Sequence, residues 1–558
     1  MAGFYLAVGE EFFDNLRRSG CYYVDKTEMI YEIAGAGGAR VTLFTRPRRF
    51  GKTLAMSMLQ SFFDITKDSR DVFEGLAVTK HADFCRQWMN RYPVLFLSLK
   101  DVCGLDFENA YAMLKARIAD LCKKHFYLAD SQKVNVLDQQ VFLKLCAEDA
   151  GISQVKDALL LLTRMLHAHY DRPAVLLLDE YDVPLAKAYD AQKASPEYAR
   201  RMLDLMRALM SSALKTNEYL KFAVITGCLR VAKESIFTGV NNFKTYSILD
   251  RRYCSSFGFT KDEVKALLNE AGYADQMDRI QSWYDGYVFG DREIFCPWDV
   301  VNFVWDLLEN PNKEPDNYWK YTSGNDILRF FAHNLSFQVS EKFETLMNGG
   351  TIVQTISDEL TYHNLSEKED NLWSVLFMTG YLTKAEKLEY GRTVHLRIPN
   401  TEVAEIFQET VVACFRDSMD GNVQMELMET LWNGKEQEAS RIISDLLWDT
   451  ISYNNYHENY YHAFLTGLFA GQPYVVKSDQ ENGLGRTDLV VKDPKNRRAI
   501  LIEAKKADTE DAMEKECVRA KRQIIDKQYA RGLSGYTSIV CYGIAFYQKT
   551  ALVRRLEE

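Results

Sequence analysis

Two carboxylates and an ammonium group fall on neighbouring apolar runs near the C-terminal end of this 558-residue chain. Asp488 opens the run DLVV, and Glu503 and Lys505 close the run AILIEAK, with the turn-like KDPKNRR between them. Two strands joined as a hairpin would place Asp488 beside Glu503, with Lys505 on the same side as Glu503 because strand side chains alternate with a period of two. This combination suits a hard divalent cation and an attacking water, which is what hydrolysis of a phosphodiester needs.

A complete site of this kind needs a third acidic ligand. The candidate is Glu458, in the helical stretch YHENYYHAFLTGLF before the first run. We expect Asp488, Glu503 and Glu458 to hold Mg²⁺, or Mn²⁺ in its place, with help from the carbonyl of Ala504. Lys505 would orient the hydroxide or stabilise the charge of the pentacovalent phosphorus.

Other polar residues surround the two runs. Arg486 could hold a phosphate oxygen, and Gln523 and Tyr529 on the following helical segment could face the same pocket. His457 and His462 are five residues apart, whereas a helical zinc-protease pair is four apart, so we expect these histidines to serve packing. The alternative interpretation of the acidic pair is an ordinary charged edge on two strands.

A second motif, RPRRFGKT at residues 46–53, lies between the apolar ARVTLFT and a helical segment, the context of a Walker A phosphate loop. Lys52 would reach the β and γ oxygens, and the Thr53 hydroxyl would ligate Mg²⁺. The first glycine of the pattern is replaced by Arg46, and the alternative interpretation is that GKT merely begins a helix. The loop residues expected to bind the nucleotide beside these are Arg49, Phe50 and Gly51.

The run VLLLDE is an apolar strand that ends in two acids, the Walker B arrangement. Asp179 would hold Mg²⁺ through water, and Glu180 would polarise the attacking water. The alternative is a buried strand that simply meets solvent at acidic residues. Tyr181 and Asp182 could belong either to a helix cap or to the site.

A third strand, FAVITG, ends in residues that could complete the nucleotide site. Thr226 could lie near the γ-phosphate as a polar sensor. Arg230 could act as an arginine finger in cis or in trans, or form a surface salt bridge.

Short apolar strands alternate with helical segments in the first half of the chain. The strands ARVTLFT, PVLFLSL, AVLLLD and FAVITG predict a parallel, doubly wound α/β sheet with helices on both faces. From about residue 258 the pattern becomes mostly helical, and Thr260 offers an N-cap to the helix that follows. After residue 471 we expect the two strands of the acidic pair, a helix over 508–531 and a last strand over 537–547.

The composition is that of an ordinary globular protein, with 47% hydrophobic and 26% charged residues. The 11 cysteines show no CxxC pair, which favours reduced thiols over disulfides or a zinc site. Neither a signal peptide nor a membrane span is evident, so we expect a cytoplasmic protein. Net charge is −10, but residues 471–558 hold 17 basic and 13 acidic residues, which suits a polyanionic partner.

Longer strings resemble a known group. YYVDKTEMI, TRPRRFGKTL, LLLDEYDVPL and ITGCLRVAKESIFTGVNN resemble the bacterial AAA-ATPase-like family, and HENYYHAFLTGLF, GRTDLVV, LIEAKKA and YGIAFYQK resemble the PD-(D/E)XK nuclease domain that accompanies it. The resemblance implies a P-loop domain over 1–257, a lid-like or winged-helix-like middle region over 258–400 and a restriction-endonuclease-like domain over 401–558. It also implies that the loop without its first glycine is the family's own form. The residues carried over by motif are Gly51, Lys52, Thr53, Asp179, Glu180, Glu458, Asp488, Glu503 and Lys505.

The combined expectation is an ATP-binding protein with a metal-dependent nuclease domain that cleaves DNA, rather than RNA, under control of ATP binding or hydrolysis. Homo-oligomers are compatible with this, and a membrane is not expected. One alternative is a nucleotide-switched module that binds nucleic acid or protein without cleavage. Another is a scaffold in which both sites are degenerate.

Overall fold

A computed structural model describes most of the chain, namely residues 4–35, 38–190, 196–230, 237, 243–319, 342–343, 345–357, 369–385, 393–418, 421–450, 458–469, 474–482, 485–533 and 535–556. The chain divides into two units, the first formed by residues 1–319 with 353–401 and the second by 320–352 with 402–558. The three domains predicted with boundaries at 257 and 400 stay a prediction. None of the helices in the described part is long and apolar enough to cross a membrane.

The first unit is built on a five-stranded parallel sheet in the order β2-β3-β4-β1-β5. Four of its strands were predicted from apolar runs, and β1 and β3 are buried at every position, as parallel strands covered on both faces should be. The fifth, β5, was not predicted. The strands are β1 Val41–Thr45, β2 Val94–Ser98, β3 Ala174–Asp179, β4 Leu220–Gly227 and β5 Phe243–Tyr246.

Helices cover both faces of this sheet. On one face, apolar side chains of four long helices form a single core with alternate residues of β1–β4. On the other face Phe63 packs against Phe222 of β4, with 5.2 Å between the ring centroids. The helices are α1 Phe13–Arg18, α2 Glu28–Ala34, α3 Lys52–Phe63, α4 Arg70–Phe73, α5 Ala82–Trp88, α6 Phe107–Lys124, α7 Val136–Cys146, α8 Ile152–Lys156, α9 Ala158–Tyr170, α10 Val183–Asp190 and α11 Pro196–Leu214.

The remainder of the first unit combines helices with two small sheets, ordered β6-β8-β7 and β10-β11-β9. Thr260 is the N-cap of α12 and forms a capping box with Glu263, which confirms the predicted cap. The strands are β6 Phe259–Thr260, β7 Tyr287–Phe289, β8 Arg292–Phe295, β9 Ile352–Thr355, β10 Thr383–Lys384 and β11 Thr393–Arg397. The helices are α12 Lys261–Ala271, α13 Met277–Tyr284, α14 Pro297–Glu309 and α15 Glu369–Met378.

The second unit contains a mixed sheet in the order β12-β13-β14-β15-β16. All neighbouring pairs are antiparallel except β14 and β15, which are parallel and joined through helix α20. The strands are β12 Val475–Asn482, β13 Gly485–Asp493, β14 Arg498–Lys506, β15 Ser538–Tyr547 and β16 Thr550–Arg555. The helices are α16 Thr401–Ser418, α17 Gly421–Trp432, α18 Glu436–Thr450, α19 Glu458–Phe469 and α20 Met513–Asp526.

The two faces of this sheet pack against different helices. Leu489 and Ile502 share a core with side chains of α17, α18 and α19. Val490 and Leu501, the alternate residues, pack with Ile524 of α20 and with residues after it. The face on which a strand residue lies therefore decides which helix it meets.

Candidate functional sites

The hairpin of β13 and β14 brings the acidic pair together. Leu489 lies opposite Ile502, so the preceding Asp488 and the following Glu503 stand side by side on the face covered by α20. A carboxylate oxygen of Asp488 accepts a hydrogen bond of 2.7 Å from the backbone N–H of Ala504. The structure therefore joins the two strands through the carboxylate of Asp488 itself.

The ammonium of Lys505 lies on the same face, where its Nζ is 3.1 Å from Oε1 of Glu503. The Glu503 side chain is 0% exposed and that of Lys505 is 12% exposed. Burial raises the pKa of Glu503 to about 7; the charge of Asp488 also raises it, and Lys505 opposes the shift. The three groups form one electrostatic cluster.

One oxygen of this cluster lacks a partner. Oε2 of Glu503 is buried and accepts no hydrogen bond from any described residue. A buried carboxylate oxygen without a partner is costly unless another group satisfies it, and a hard divalent cation is such a group. The two carboxylates of Asp488 and Glu503 are donors of the kind that Mg²⁺ or Mn²⁺ prefers.

The third predicted acid lies at the start of a helix in the second unit. Glu458 is the first residue of α19, but its side chain lies outside the described residues, as do the side chain of Arg486 and the whole of His457. Among the side chains that the structure does describe, no group of three metal-ligating residues occurs. The acidic metal ligands that the structure describes are therefore the carboxylates of Asp488 and Glu503.

Two further contacts surround the pair. Nε2 of His462 lies 2.6 Å from the backbone oxygen of Asp488, so the histidine that we assigned to packing fastens β13 at the acidic residue. On α20, Gln523 Nε2 donates to the hydroxyl of Tyr529 over 3.2 Å. Tyr529 packs with Val490 and Leu501, which lie on the same face of the sheet as the acidic pair. Burial raises the pKa of Tyr529, and so do the charges of Glu503 and Asp488.

Helix α20 can lie this close because β15 carries a glycine. Gly543 lies opposite Glu503 in the parallel register of β14 and β15. A Cβ at this position would come within 2.7 Å of the backbone oxygen of Cys517 in α20. A larger residue would push the helix, and with it Gln523, away from the acidic pair.

In the first unit the predicted phosphate loop joins β1 to α3. Arg49 and Gly51 have φ angles of 71° and 82°, and Gly51 is the N-cap of α3. Lys52, 4% exposed, donates from Nζ to the carbonyl oxygens of Arg46 at 3.2 Å and Pro47 at 2.9 Å. The loop therefore folds around the lysine at the start of a helix, where backbone N–H groups favour anions.

Arg46, at the position of the missing glycine, has a structural role. Its buried guanidinium donates to the carbonyl oxygens of Thr45, Tyr246 and Tyr253 at 2.8, 2.9 and 3.1 Å. Its φ is not positive, so the backbone needs no glycine here. The side chain anchors β5 and the segment after it beneath the loop.

The next two predicted loop residues also use their side chains for packing. The Arg49 guanidinium lies 5.7 Å from the ring centroids of both Trp298 and Trp319 and donates to the Tyr318 oxygen at 3.2 Å. Phe50 is buried against the rings of Tyr287 and Phe289. Because these side chains are engaged elsewhere, Arg49 and Phe50 would contribute their backbone to a nucleotide.

The acidic residue at the end of β3 is held by two threonines. Thr53 donates to Oδ2 of Asp179 at 2.8 Å, and Thr226 donates to Oδ1 at 2.5 Å. Strand β4 lies between β1 and β3, so the predicted residues of all three strand ends meet at Asp179. Thr226, which we predicted as a γ-phosphate sensor, has its hydroxyl committed to this carboxylate.

Glu180 follows with a φ of 54°, in the left-handed region. Burial raises the pKa of Glu180, Lys52 lowers it, and the carboxylates of Asp179 and Asp182 raise it further. This places Glu180 within the same group of charges as Lys52.

Asp182 and Tyr181 both fasten the turn after β4. Asp182 Oδ2 accepts from the backbone N–H groups of Cys228 and Leu229 at 2.9 and 3.0 Å, and the Tyr181 hydroxyl donates to the Leu229 oxygen at 2.8 Å. A Cβ on Gly227 would approach Asp182 Oδ1 to 2.7 Å. Sequence reasoning left the role of Asp182 open between cap and site, and the structure shows it holding this turn.

Arg230 comes directly after that turn and is partly buried. Its two predicted roles, arginine finger and salt bridge, both stay predictions.

The two folds and their sites define a class: a P-loop ATPase-like unit in one chain with a unit of the restriction-endonuclease type. Comparisons agree with this division. Residues 7–237 match a family model described as "Predicted AAA-ATPase", and residues 456–555 match the PD-(D/E)XK nuclease superfamily. The chain thus contains an AAA-ATPase-like domain and a PD-(D/E)XK nuclease superfamily domain.

One relative is similar to this chain over nearly the whole length of both proteins. The "Uncharacterized protein in vnfD 5'region" of Azotobacter chroococcum mcd 1 is 25% identical over 536 residues, which cover 94% of this chain and 93% of the relative. The similarity therefore extends beyond the two matched domains into the region between them.

Proposed function

We propose that the protein is a metal-dependent nuclease that cuts DNA under control of ATP binding or hydrolysis. The observation that carries the proposal is the convergence of Asp488, Glu503 and Lys505 on one face of the β13–β14 hairpin, with Glu503 Oε2 buried and without a partner among the described residues. A plain charged strand edge would expose its carboxylate oxygens to water, whereas the Glu503 side chain is 0% exposed, which supports a role in holding a ligand.

The residues of the site divide the work. Asp488, Glu503 and the carbonyl of Ala504 would hold a divalent cation, which when bound supplies Lewis-acid polarisation of the phosphodiester and of an attacking water. Asp488 is oriented by the Ala504 N–H and by the contact of His462 with its backbone. Lys505 neutralises part of the charge at Glu503 and can offset negative charge that develops on the phosphate.

The nucleotide half of the proposal rests on the loop around Lys52. Lys52 and the N-terminus of α3 would bind the phosphates of ATP, and Thr53 and Asp179 would hold Mg²⁺. A bound phosphate would accept hydrogen bonds from the Lys52 ammonium in place of the carbonyl oxygens of Arg46 and Pro47. Nucleotide binding would therefore rearrange the loop. Glu180 and Arg230 are proposed to act on the terminal phosphate.

The test is a cleavage assay with Mg²⁺ or Mn²⁺, with and without ATP, on duplex DNA, single-stranded DNA and RNA. We expect the wild type to cleave DNA, Asp488→Ala and Glu503→Gln to lose cleavage, and Lys52→Ala to lose the effect of ATP. The exposed carboxylate of Asp511 gives a matched control, since Asp511→Ala removes one charge from the same unit and should leave cleavage unchanged. Full activity of both site variants would refute the proposed nuclease.

The assay also decides between the alternatives. If the wild type binds ATP and nucleic acid but cleaves no substrate, the nucleotide-switched binding module is favoured. If it neither binds ATP nor cleaves a substrate, a scaffold is favoured. Preference for RNA would correct the proposed DNA substrate. A cytoplasmic location and assembly into homo-oligomers are further parts of the proposal, to be checked by fractionation and by light scattering with and without ATP.

A further inference from the structure

The phosphate loop carries three arginines in four residues, and the structure gives them different surroundings. Arg46 is buried beneath the loop, and Arg49 lies against two tryptophan rings. Arg48, between them, is exposed and makes no hydrogen bond or ion pair with any described residue. Two of the three side chains therefore have structural contacts that explain them, and the third does not.

Arg48 and Lys52 share their charged neighbours. Lys52 Nζ lies 3.7 Å from the sulfur of Cys228, and its charge acts on Glu180 and Asp182. Desolvation lowers the pKa of Arg48, but the charges of Cys228, Glu180 and Asp182 raise it by more, so the pKa lies above its usual value. Arg48 directly follows Arg46 and Pro47, whose carbonyl oxygens accept hydrogen bonds from the Lys52 ammonium. Its exposed side chain therefore begins beside the position that the terminal phosphate of a bound triphosphate would occupy.

We propose that Arg48 binds the γ-phosphate and makes the loop selective for nucleoside triphosphates over diphosphates. This assignment rests on the proposed function, since it requires that ATP binds at Lys52. A guanidinium presents five donors in a planar fork that matches two phosphate oxygens at once. Arg48 is exposed and unengaged among the described residues, so it can turn toward the phosphate without breaking an existing contact.

The selectivity has a physical basis in the neighbouring carboxylates. Glu180 and Asp182 would repel a terminal phosphate, and Lys52 alone offers one ammonium against them. A second cation from the loop offsets this repulsion only when a third phosphate is present. Its contribution should therefore be seen in triphosphate binding and be nearly absent from diphosphate binding.

The test measures calorimetric affinities of the full chain for Mg²⁺-ADP and for the β,γ-imido analogue of ATP. We expect Arg48→Ala to weaken binding of the analogue by about tenfold, the loss of one charge-assisted contact, while ADP affinity changes less than twofold. Arg48→Lys should recover part of the loss. Arg70→Ala, which removes an exposed arginine from another part of the unit, should change neither affinity.

Two outcomes would overturn the assignment of Arg48. One is wild-type selectivity in Arg48→Ala, and the other is an equal loss of both affinities, which would indicate a general effect on the loop. The wild-type titration separates this from failure of the proposed function: if the wild type binds neither nucleotide, the nucleotide half of the proposed function falls together with the role of Arg48. Thermal unfolding of each variant establishes that a lost affinity is not a lost fold.

Discussion

Asp285, in the segment WYDGYVFG, should limit the stability of the first unit at neutral pH. The residue is 6% exposed, and its Oδ1 accepts no hydrogen bond from the described residues. Burial raises the pKa of Asp285 from 3.8 to about 6; the Gly286 N–H opposes the shift, Glu293 adds to it, and Lys261 and Arg397 lower it. The folded protein therefore holds this proton more tightly than the unfolded chain does.

The sign of the effect follows from linkage. Because the folded state binds more protons between the two pKa values, stability falls as pH rises from about 4 to about 6 and stays reduced above that range. A difference of about two pKa units corresponds to about 3 kcal/mol. Asp285→Asn removes the charge and keeps an acceptor for the Gly286 N–H, so it should stabilise the first unit by up to that amount at pH 7.5.

The assay is urea unfolding of the wild type and Asp285→Asn at several pH values from 4 to 8. The difference between the two free energies of unfolding should be near zero at pH 4 and should grow to its full value by pH 7. Asp278→Asn, at an exposed carboxylate, supplies the control and should show little change. A difference that does not vary with pH, or a variant less stable at pH 7.5, would refute the reasoning.

Three more predictions concern the two sites. Thr226→Val leaves an oxygen of Asp179 without its donor, so it should slow ATP hydrolysis and lower the free energy of unfolding by about 1–3 kcal/mol. Turnover measurements and urea unfolding test these two effects, and unchanged turnover would contradict the proposed role of Asp179. His462→Ala should weaken Mn²⁺ binding by about tenfold in calorimetry, because β13 is no longer fastened at Asp488, and unaltered affinity would argue against that positioning. Arg46→Gly restores the missing glycine but leaves three carbonyl groups without their donor, so it should destabilise the protein by about 3 kcal/mol or more; a rise in melting temperature would show that the loop prefers glycine.

The sequence predicts well those parts that depend on apolar runs. Strands β1, β2, β3 and β4 were expected because uninterrupted apolar residues lead into a polar end, and β15 for the same reason. The hairpin of β13 and β14 was expected from the spacing between Asp488 and Glu503. Strand β5 was missed because FKTY is short and only partly buried at the sheet edge, and β12 and β16 lack a continuous apolar run.

The fate of individual polar side chains could not be predicted, because it depends on residues far away in the chain. Arg46 is engaged by carbonyl oxygens of Tyr246 and Tyr253, some two hundred positions on. Asp182 meets the backbone of residues 228 and 229 only because β3 and β4 are neighbours. No local pattern indicates such contacts.

The position of β14 in its sheet has a consequence for how the acidic cluster can be lost. This strand is the third of five and is hydrogen-bonded along both edges, to β13 and to β15. Its amide protons should exchange with solvent only when the whole unit opens, since no fraying end lies beside it. The backbone position of Glu503 should then be lost only together with the fold of the unit, and not by local opening of β14.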